Sequence, residues 1–324
     1  MRRFARAAVI GLAVCGGAVL VAQTPPGGAR ASGSVTSQPA TPGGQVFRSG
    51  VEVITVAATV FDAEGRLAPD LAREAFELYD DGERQAITQF THERVPVGLG
   101  VLLDVSDSMF GRRLADARAA VSRFLFELLD PADEFFVYGF NHAPQLVSAW
   151  TRDAALISTR LASLQASGGT AVYDAVLTAL PLFRTRNQPR AALVVISDGA
   201  DTASDATLRE VRSALIRSDA FVYAIAIDSA DKRPINTRVN PVALGEITDD
   251  TGGRTQIVSD SAGLAAATQR IADELNSQYV LGYNAPHAAD GEYHSIRVRV
   301  RDGGYRVRAR RGYVGEPLPQ KTAK

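Results

Sequence analysis

Five oxygen-bearing side chains lie in three separated stretches of the chain. In Val101-Leu102-Leu103-Asp104-Val105-Ser106-Asp107-Ser108-Met109, an apolar run leads straight into a carboxylate and two hydroxyls at alternate positions. Alternate residues of extended chain project to one side, so Asp104, Ser106 and Ser108 can face a common centre. Gly168-Gly169-Thr170 offers a third hydroxyl, and Val194-Val195-Ile196-Ser197-Asp198-Gly199 ends a second apolar run in a carboxylate. Two carboxylates and three hydroxyls form an all-oxygen donor set, which suits a hard cation such as Mg²⁺ that keeps part of its water. No cluster of His and Cys in the sequence suggests zinc. Each stretch alone has a plainer reading: Asp and Ser are common helix N-caps, and Asp-Gly is a turn. Their combination favours the metal.

A shared centre requires elements that bring the three stretches together. Residues 95–277 alternate short apolar strands with amphipathic helices. Strands are expected at Val97–Leu103, Phe135–Phe140, Leu146–Trp150, Ala191–Ile196 and Phe221–Ile227. Leu114, Ala117, Val121, Leu125 and Leu128 share one helical face, and further helices are expected at Ala171–Phe183, near Thr207–Arg217 and at Ala262–Leu275. Apolar strands between helices predict an α/β fold with a doubly wound, mostly parallel sheet covered on both faces. In such sheets ligands bind beyond the carboxyl ends of strands, where Asp104 and Asp198 fall.

Asp-x-Ser-x-Ser, a Thr after Gly-Gly, and Ser-Asp-Gly after a strand resemble the metal-ion-dependent adhesion site (MIDAS) of von Willebrand factor A (VWA) domains, which integrin inserted domains share. The resemblance covers about residues 95–277. It implies that Asp104, Ser106, Ser108, Thr170 and Asp198 surround a metal. Ser106, Ser108 and Thr170 would ligate directly, and Asp104 and Asp198 largely through water. The implied ion is Mg²⁺, with Mn²⁺ and Ca²⁺ as alternatives. Held by neutral hydroxyls, it would keep most of its charge and seek an anionic oxygen, supplied in related domains by an Asp or Glu of a partner protein. One position departs from the pattern: Asp107 stands where Gly is frequent, and it is not taken as a ligand.

The flanks have a different character. Residues 46–94 hold an apolar strand from Val51, then Phe76-Glu77-Leu78-Tyr79 before Asp80-Asp81-Gly82, with Ala86–Phe90 resuming after the turn as a hairpin partner. In residues 278–316, Tyr279–Tyr283 is one strand. Ile296, Val298 and Val300 then alternate with arginines, Asp302-Gly303-Gly304 turns the chain, and Val307 and Ala309 alternate with arginines again. This pattern predicts a hairpin with one apolar and one arginine face. Residues 46–94 carry ten acidic and five basic side chains, and residues 279–316 carry four and seven. Facing arginines repel and small hairpins are marginal alone, so the two flanks are expected to join in a small β-sandwich-like unit. These flanks resemble a VWA-related family common in Acidobacteria, through Phe76–Gly82, Tyr279–Tyr283 and Arg308-Ala309-Arg310-Arg311-Gly312-Tyr313.

Arg2, Arg3 and Arg6 followed by apolar or small residues to Ala22 read as an export signal over residues 1–22, with an uncleaved anchor as the alternative. The one Cys, Cys15, lies inside this run. Residues 23–45, rich in Pro, Gly, Ser and Thr, read as a disordered linker, and 317–324 as a tail. The expected location is periplasmic or secreted. A net charge of −1 gives no global argument for nucleic acid. His92, His142, His287 and His294 are scattered, and neither a Gly-x-Ser-x-Gly elbow nor a phosphate-binding loop is present. A strand ending in Asp also opens phosphatases of the haloacid dehalogenase class, but their second Asp is replaced by Ser106. The expected function is therefore a metal-dependent protein-binding module, not an enzyme, with a metal-independent envelope scaffold as the alternative.

Overall fold

The computed structural model describes residues 52–198, 200–228, 240–287 and 289–315. The expected signal, linker and tail lie outside the described residues. Among the described residues no helix is long and apolar enough to cross a membrane.

The central sheet has six strands: β5 (Val97–Asp104), β6 (Glu134–Phe140), β7 (Pro144–Thr151), β8 (Arg190–Ser197), β9 (Phe221–Ile227) and β10 (Thr255–Val258). Their order is β10-β9-β8-β5-β6-β7, all parallel except the antiparallel edge strand β7. Every residue of β5, β6, β8 and β9 is buried, as uninterrupted apolar runs between two helical layers require. Val97, Leu99, Val101 and Leu103 pack with α1 (Arg112–Arg123), α2 (Ala154–Ser163) and α6 (Ser261–Asn276). Leu102, Phe136, Leu193 and Val195 pack with α3 (Val172–Ala179), α4 (Leu208–Ile216) and α5 (Pro241–Asp249) on the opposite face. Gly100 makes room for this second layer: a Cβ there would lie 2.4 Å from the Phe136 ring and 2.7 Å from Leu193. The helix expected over Ala171–Phe183 is α-helical to Ala179 and tightens to a 3-10 helix over Leu180–Thr185, where Pro181 removes a backbone donor.

The flanks fold together into two antiparallel four-stranded sheets. One has the order β13-β1-β11-β4 and the other β14-β12-β2-β3. Here β1 is Glu52–Phe61, β2 Phe76–Asp80, β3 Glu83–Gln85 and β4 Ile87–Thr91; β11 is Tyr279–Ala285, β12 Tyr293–Val300, β13 Arg306–Ala309 and β14 Gly312–Val314. Val56, Ala58, Val60, Leu78, Tyr279, Leu281, Tyr283, Ile296 and Val298 form the core between the sheets.

Two expected hairpins are corrected. The turn at Asp81 and Gly82, both at positive φ, pairs β2 with the short β3, whereas the Ala86–Phe90 run crosses to the other sheet and pairs with β11. The arginine-rich strands β12 and β13 do not form a hairpin either: β12 pairs with β2 and β14, and β13 pairs with β1. Five residues separate them, enough chain to change sheets, and each strand then buries its apolar face in one core. Three of the seven arginines in this flank meet acids. Arg301 lies 3.4 Å from Glu77, Arg308 pairs with Glu274, and Arg311 lies 3.3 Å from Asp250. Two of these three acids belong to the α/β layer, so the arginines also clamp the sandwich to the α/β domain.

Both junctions meet at the amino-terminal end of the central sheet. Arg190, at the start of β8, donates to Val95 O, Leu275 O and Gln278 Oε1, tying the entry to β5 to the exit toward β11. Burial pulls its guanidinium down to about 10. The opposite, carboxyl end of the sheet is left to Asp104 and Ser197.

Candidate metal centre

Asp104 is the last residue of β5 and is fully buried. Its Oδ1 accepts the Ser106 backbone N–H at 2.8 Å and its Oδ2 accepts the Ser197 hydroxyl at 2.5 Å. After β5 the chain stays extended through Ser106 and turns in a 3-10 helix, Asp107–Met109. The Ser106 and Ser108 hydroxyl oxygens are 3.0 Å apart, and Ser108 donates to Asp198 Oδ1 at 2.5 Å. Asp104, Ser106, Ser108 and Asp198 thus form one connected cluster between two adjacent strand ends.

Thr170 comes from a third loop. That loop is held against the first by Asp107 N–H to Gly168 O (3.0 Å) and Ser167 N–H to Val105 O (2.8 Å). Gly168 has φ +78°, and a Cβ there would lie 2.9 Å from His142 Nδ1, so the glycine is required. The Thr170 N–H donates to Thr202 Oγ1, and its carbonyl accepts from Thr202 and Ala203. Thr170 is buried, and its backbone is fixed by the loop that follows Asp198. Asp107 is exposed.

Residues outside the expected set also shape the site. Ser197 holds the second oxygen of Asp104. Arg113, from the first turn of α1, donates to Ser108 O at 2.7 Å and lies 3.4 Å from Asp198 Oδ2. Asp201 accepts from Tyr173 N–H and the Ser204 hydroxyl, and Asp174 accepts from the backbone of Asp205 and Ala206, docking the 201–206 loop on the start of α3. Ser197 stood in the quoted motif. The dense Asp, Ser and Thr content of residues 198–207 was a signal for such turns, but which partner each would find was not legible.

Desolvation raises the Asp104 carboxyl to about 6; the bonds from Ser197 and Ser106 oppose the rise, and the neighbouring Asp198 adds to it. Two buried carboxylates this close are costly without a cation, and Arg113 lies beside one of them. The 3.0 Å between the two serine oxygens is close to the roughly 2.9 Å edge of an octahedron around Mg²⁺. The donor set and its spacing therefore fit a hard dication.

Residues 99–200 match the family model of the von Willebrand factor type A domain. The chain carries a VWA domain. Inter-alpha-trypsin inhibitor heavy chain H4 of Homo sapiens is 28% identical over 143 residues, which cover 38% of this chain and 15% of that protein. Heavy chain H2 of Sus scrofa is 22% identical over 212 residues, covering 60% of this chain and 22% of that protein. The chain therefore spans less than a quarter of the length of these relatives. The solved von Willebrand factor type A structure from Catenulispora acidiphila aligns with a TM-score of 0.50 at 14% identity, over 85% of this chain and 76% of that one. At that identity the likeness is one of fold, and its coverage extends beyond the VWA domain into the flanking strands.

Proposed function

We propose that the VWA domain is a metal-dependent protein-binding module that captures a carboxylate of another protein. The observation that supports it is the connected cluster of Asp104, Ser106, Ser108 and Asp198 at the carboxyl end of the sheet, with both carboxylates buried. Ser106, Ser108 and Thr170 would hold Mg²⁺, or Mn²⁺ or Ca²⁺ in its place. Asp104 and Asp198 would orient the hydroxyls and bound water. The ion would supply an electrophilic site for an anionic oxygen. Phe110, 80% exposed immediately after this loop, would add an apolar contact beside the captured carboxylate. Neither a nucleophile nor a general acid is required, and Ser106 stands where a phosphohydrolase of the matching pattern needs its second carboxylate. The N-terminal basic and apolar run supports export, to the periplasm or beyond.

One observation favours a second reading. Arg113 already lies beside Asp198 and bonds Ser108 O, which is how a metal-independent scaffold would hold the same loop. Calorimetric titration of the metal-free chain with Mg²⁺ and Mn²⁺ separates the two. One ion bound by the wild type and none by Asp104→Ala is expected. Adding acetate to the Mn²⁺-loaded chain should then lower water-proton relaxivity as carboxylate displaces bound water. Absence of binding by the wild type, or equal binding by the variant, would sink the metal reading in favour of the scaffold.

A further inference from the structure

A second cluster lies in the β-sandwich, at the Asp81-Gly82 turn. Asp80 closes β2 and is buried (2% exposed). Its Oδ2 accepts from the Tyr283 hydroxyl at 2.9 Å and the Tyr313 hydroxyl at 3.1 Å, while its buried Oδ1 has no hydrogen-bond partner among the described residues. A carboxylate oxygen buried without a partner is costly. Beside it, His294 of β12 is 6% exposed. Its Nδ1 lies 2.8 Å from Asp81 Oδ2, and its Nε2 lies 3.0 and 3.1 Å from the two oxygens of Asp290. One carboxylate oxygen each from Asp80 and Asp81 and one ring nitrogen of His294 lie within 4.8 Å of one another.

We propose that Asp80, Asp81 and His294 form a binding site for a borderline transition-metal dication, with Zn²⁺ as the ion their donors suit best. Two carboxylate oxygens and an imidazole nitrogen are zinc ligands, and water completes a tetrahedron. Ligands around zinc stand about 3.3 Å apart, so His294 Nδ1 and Asp81 Oδ2, 2.8 Å apart, must part slightly, while the Asp80 oxygen lies within 4.8 Å of both. Asp81 is half-exposed on the turn, and its other oxygen accepts from the Ser295 N–H and hydroxyl. The ion takes the place of the proton between His294 Nδ1 and Asp81.

The surroundings are those that metal ligands need. A ligating His usually donates its other N–H to a carboxylate, and a ligating carboxylate is itself hydrogen-bonded. Here Asp290 accepts from Nε2, and Tyr283 and Tyr313 hold one oxygen of Asp80. The donor set also separates this site from the one at the sheet end: an imidazole selects Zn²⁺ over Mg²⁺ or Ca²⁺. His294 reaches Asp81 across 213 residues, a separation over which the sequence alone joins no ligands. The ligands come from both flanks, so a bound ion staples the N-terminal strands to the C-terminal ones.

The test is zinc binding by the full chain in excess Mg²⁺, measured by competition with a chromophoric zinc chelator. We expect one equivalent of Zn²⁺ bound with micromolar or tighter Kd. His294→Asn should weaken it at least 100-fold, Tyr283→Phe about 10- to 100-fold, and Asp104→Ala not at all. Failure of the wild type to bind an equivalent of Zn²⁺, or unchanged affinity in folded His294→Asn, would overturn the proposal. Should His294→Asn not fold, Asp81→Asn decides: a loss of tenfold or more supports the site, and unchanged affinity overturns it. Loss of Mg²⁺ binding alone would count against the proposed function and leave this site standing.

Discussion

The two acid-rich clusters of this chain are built on opposite plans. The cluster around Asp104 sits at the end of a parallel sheet and takes three of its members, Asp104, Ser106 and Ser108, from five consecutive residues. Asp198 comes from the adjacent strand end, and the β5–β8 register brings it alongside. The cluster around Asp80 sits in an antiparallel sandwich and draws on β2, its turn and β12, whose pairing sets Ile296 opposite Asp80. One cluster is rigid because the strands beneath it are wholly buried. The other depends on two chain segments finding each other and on a turn that is half-exposed. A site with most of its members on one loop above a buried sheet is expected to survive local loosening; a site spread over two flanking segments reports on their assembly.

That contrast can be broken most forcefully at the joint between the two regions. Buried Glu274 of α6 lies 2.8 Å from Arg254 and pairs with Arg308 of β13. Glu274→Ala leaves two partly buried guanidinium groups without their acid and should cost about 3–5 kcal/mol, read as a fall in the urea midpoint. An unchanged midpoint would mean that the sandwich does not depend on this clamp. The next effect is ligand-linked. Saturating Mg²⁺ at about 100 times its Kd should stabilise the wild type by roughly 2.7 kcal/mol, visible as a rise in Tm that Asp104→Ala lacks. The same rise in the variant would place the Mg²⁺ elsewhere.

Gly82→Ala probes the sandwich cluster through its turn. Gly82 has φ +84° with open space around it, so an added Cβ meets no neighbour and the strain lies in the backbone alone. A loss of about 1–2 kcal/mol is expected, together with weaker Zn²⁺ and unaltered Mg²⁺ binding. Parallel loss of both ions would erase the distinction between the clusters. The smallest effect is the sharpest: the stability changes of Asp104→Ala and His294→Asn should add to within about 0.5 kcal/mol in the double variant, since the two sites share no partner. A larger coupling, measured by denaturant melts, would show that the sheet transmits strain between them.

Much of the VWA domain was legible because its signals are local. Uninterrupted apolar runs identify buried parallel strands, and carboxylates and hydroxyls directly after them mark the sheet end where ligands sit. Asp104, Ser106, Ser108 and Asp198 could therefore be named from spacing. Arg113 was not legible: its position on the first turn of α1 is ordinary for an exposed arginine, and only the turn at Gly111 (φ +76°) brings it back over Ser108. The sandwich was legible as strands but not as pairings. Alternation specifies which face of a strand is apolar but not which strand lies beside it, so both expected hairpins gave way to partners in different sheets.

By itself, then, the amino-acid order marked most of the strands and helices, the doubly covered sheet they build, and the loop chemistry at the end of β5. Only the tertiary structure decided that Ala86–Phe90 would leave its hairpin for β11, that Arg308 and Arg311 would reach Glu274 and Asp250, and that Asp80 would meet His294. The physical reason is range. Backbone preference and side-chain alternation act over a few residues, whereas these contacts join segments tens to hundreds of residues apart and are selected by the shared burial of two sheets.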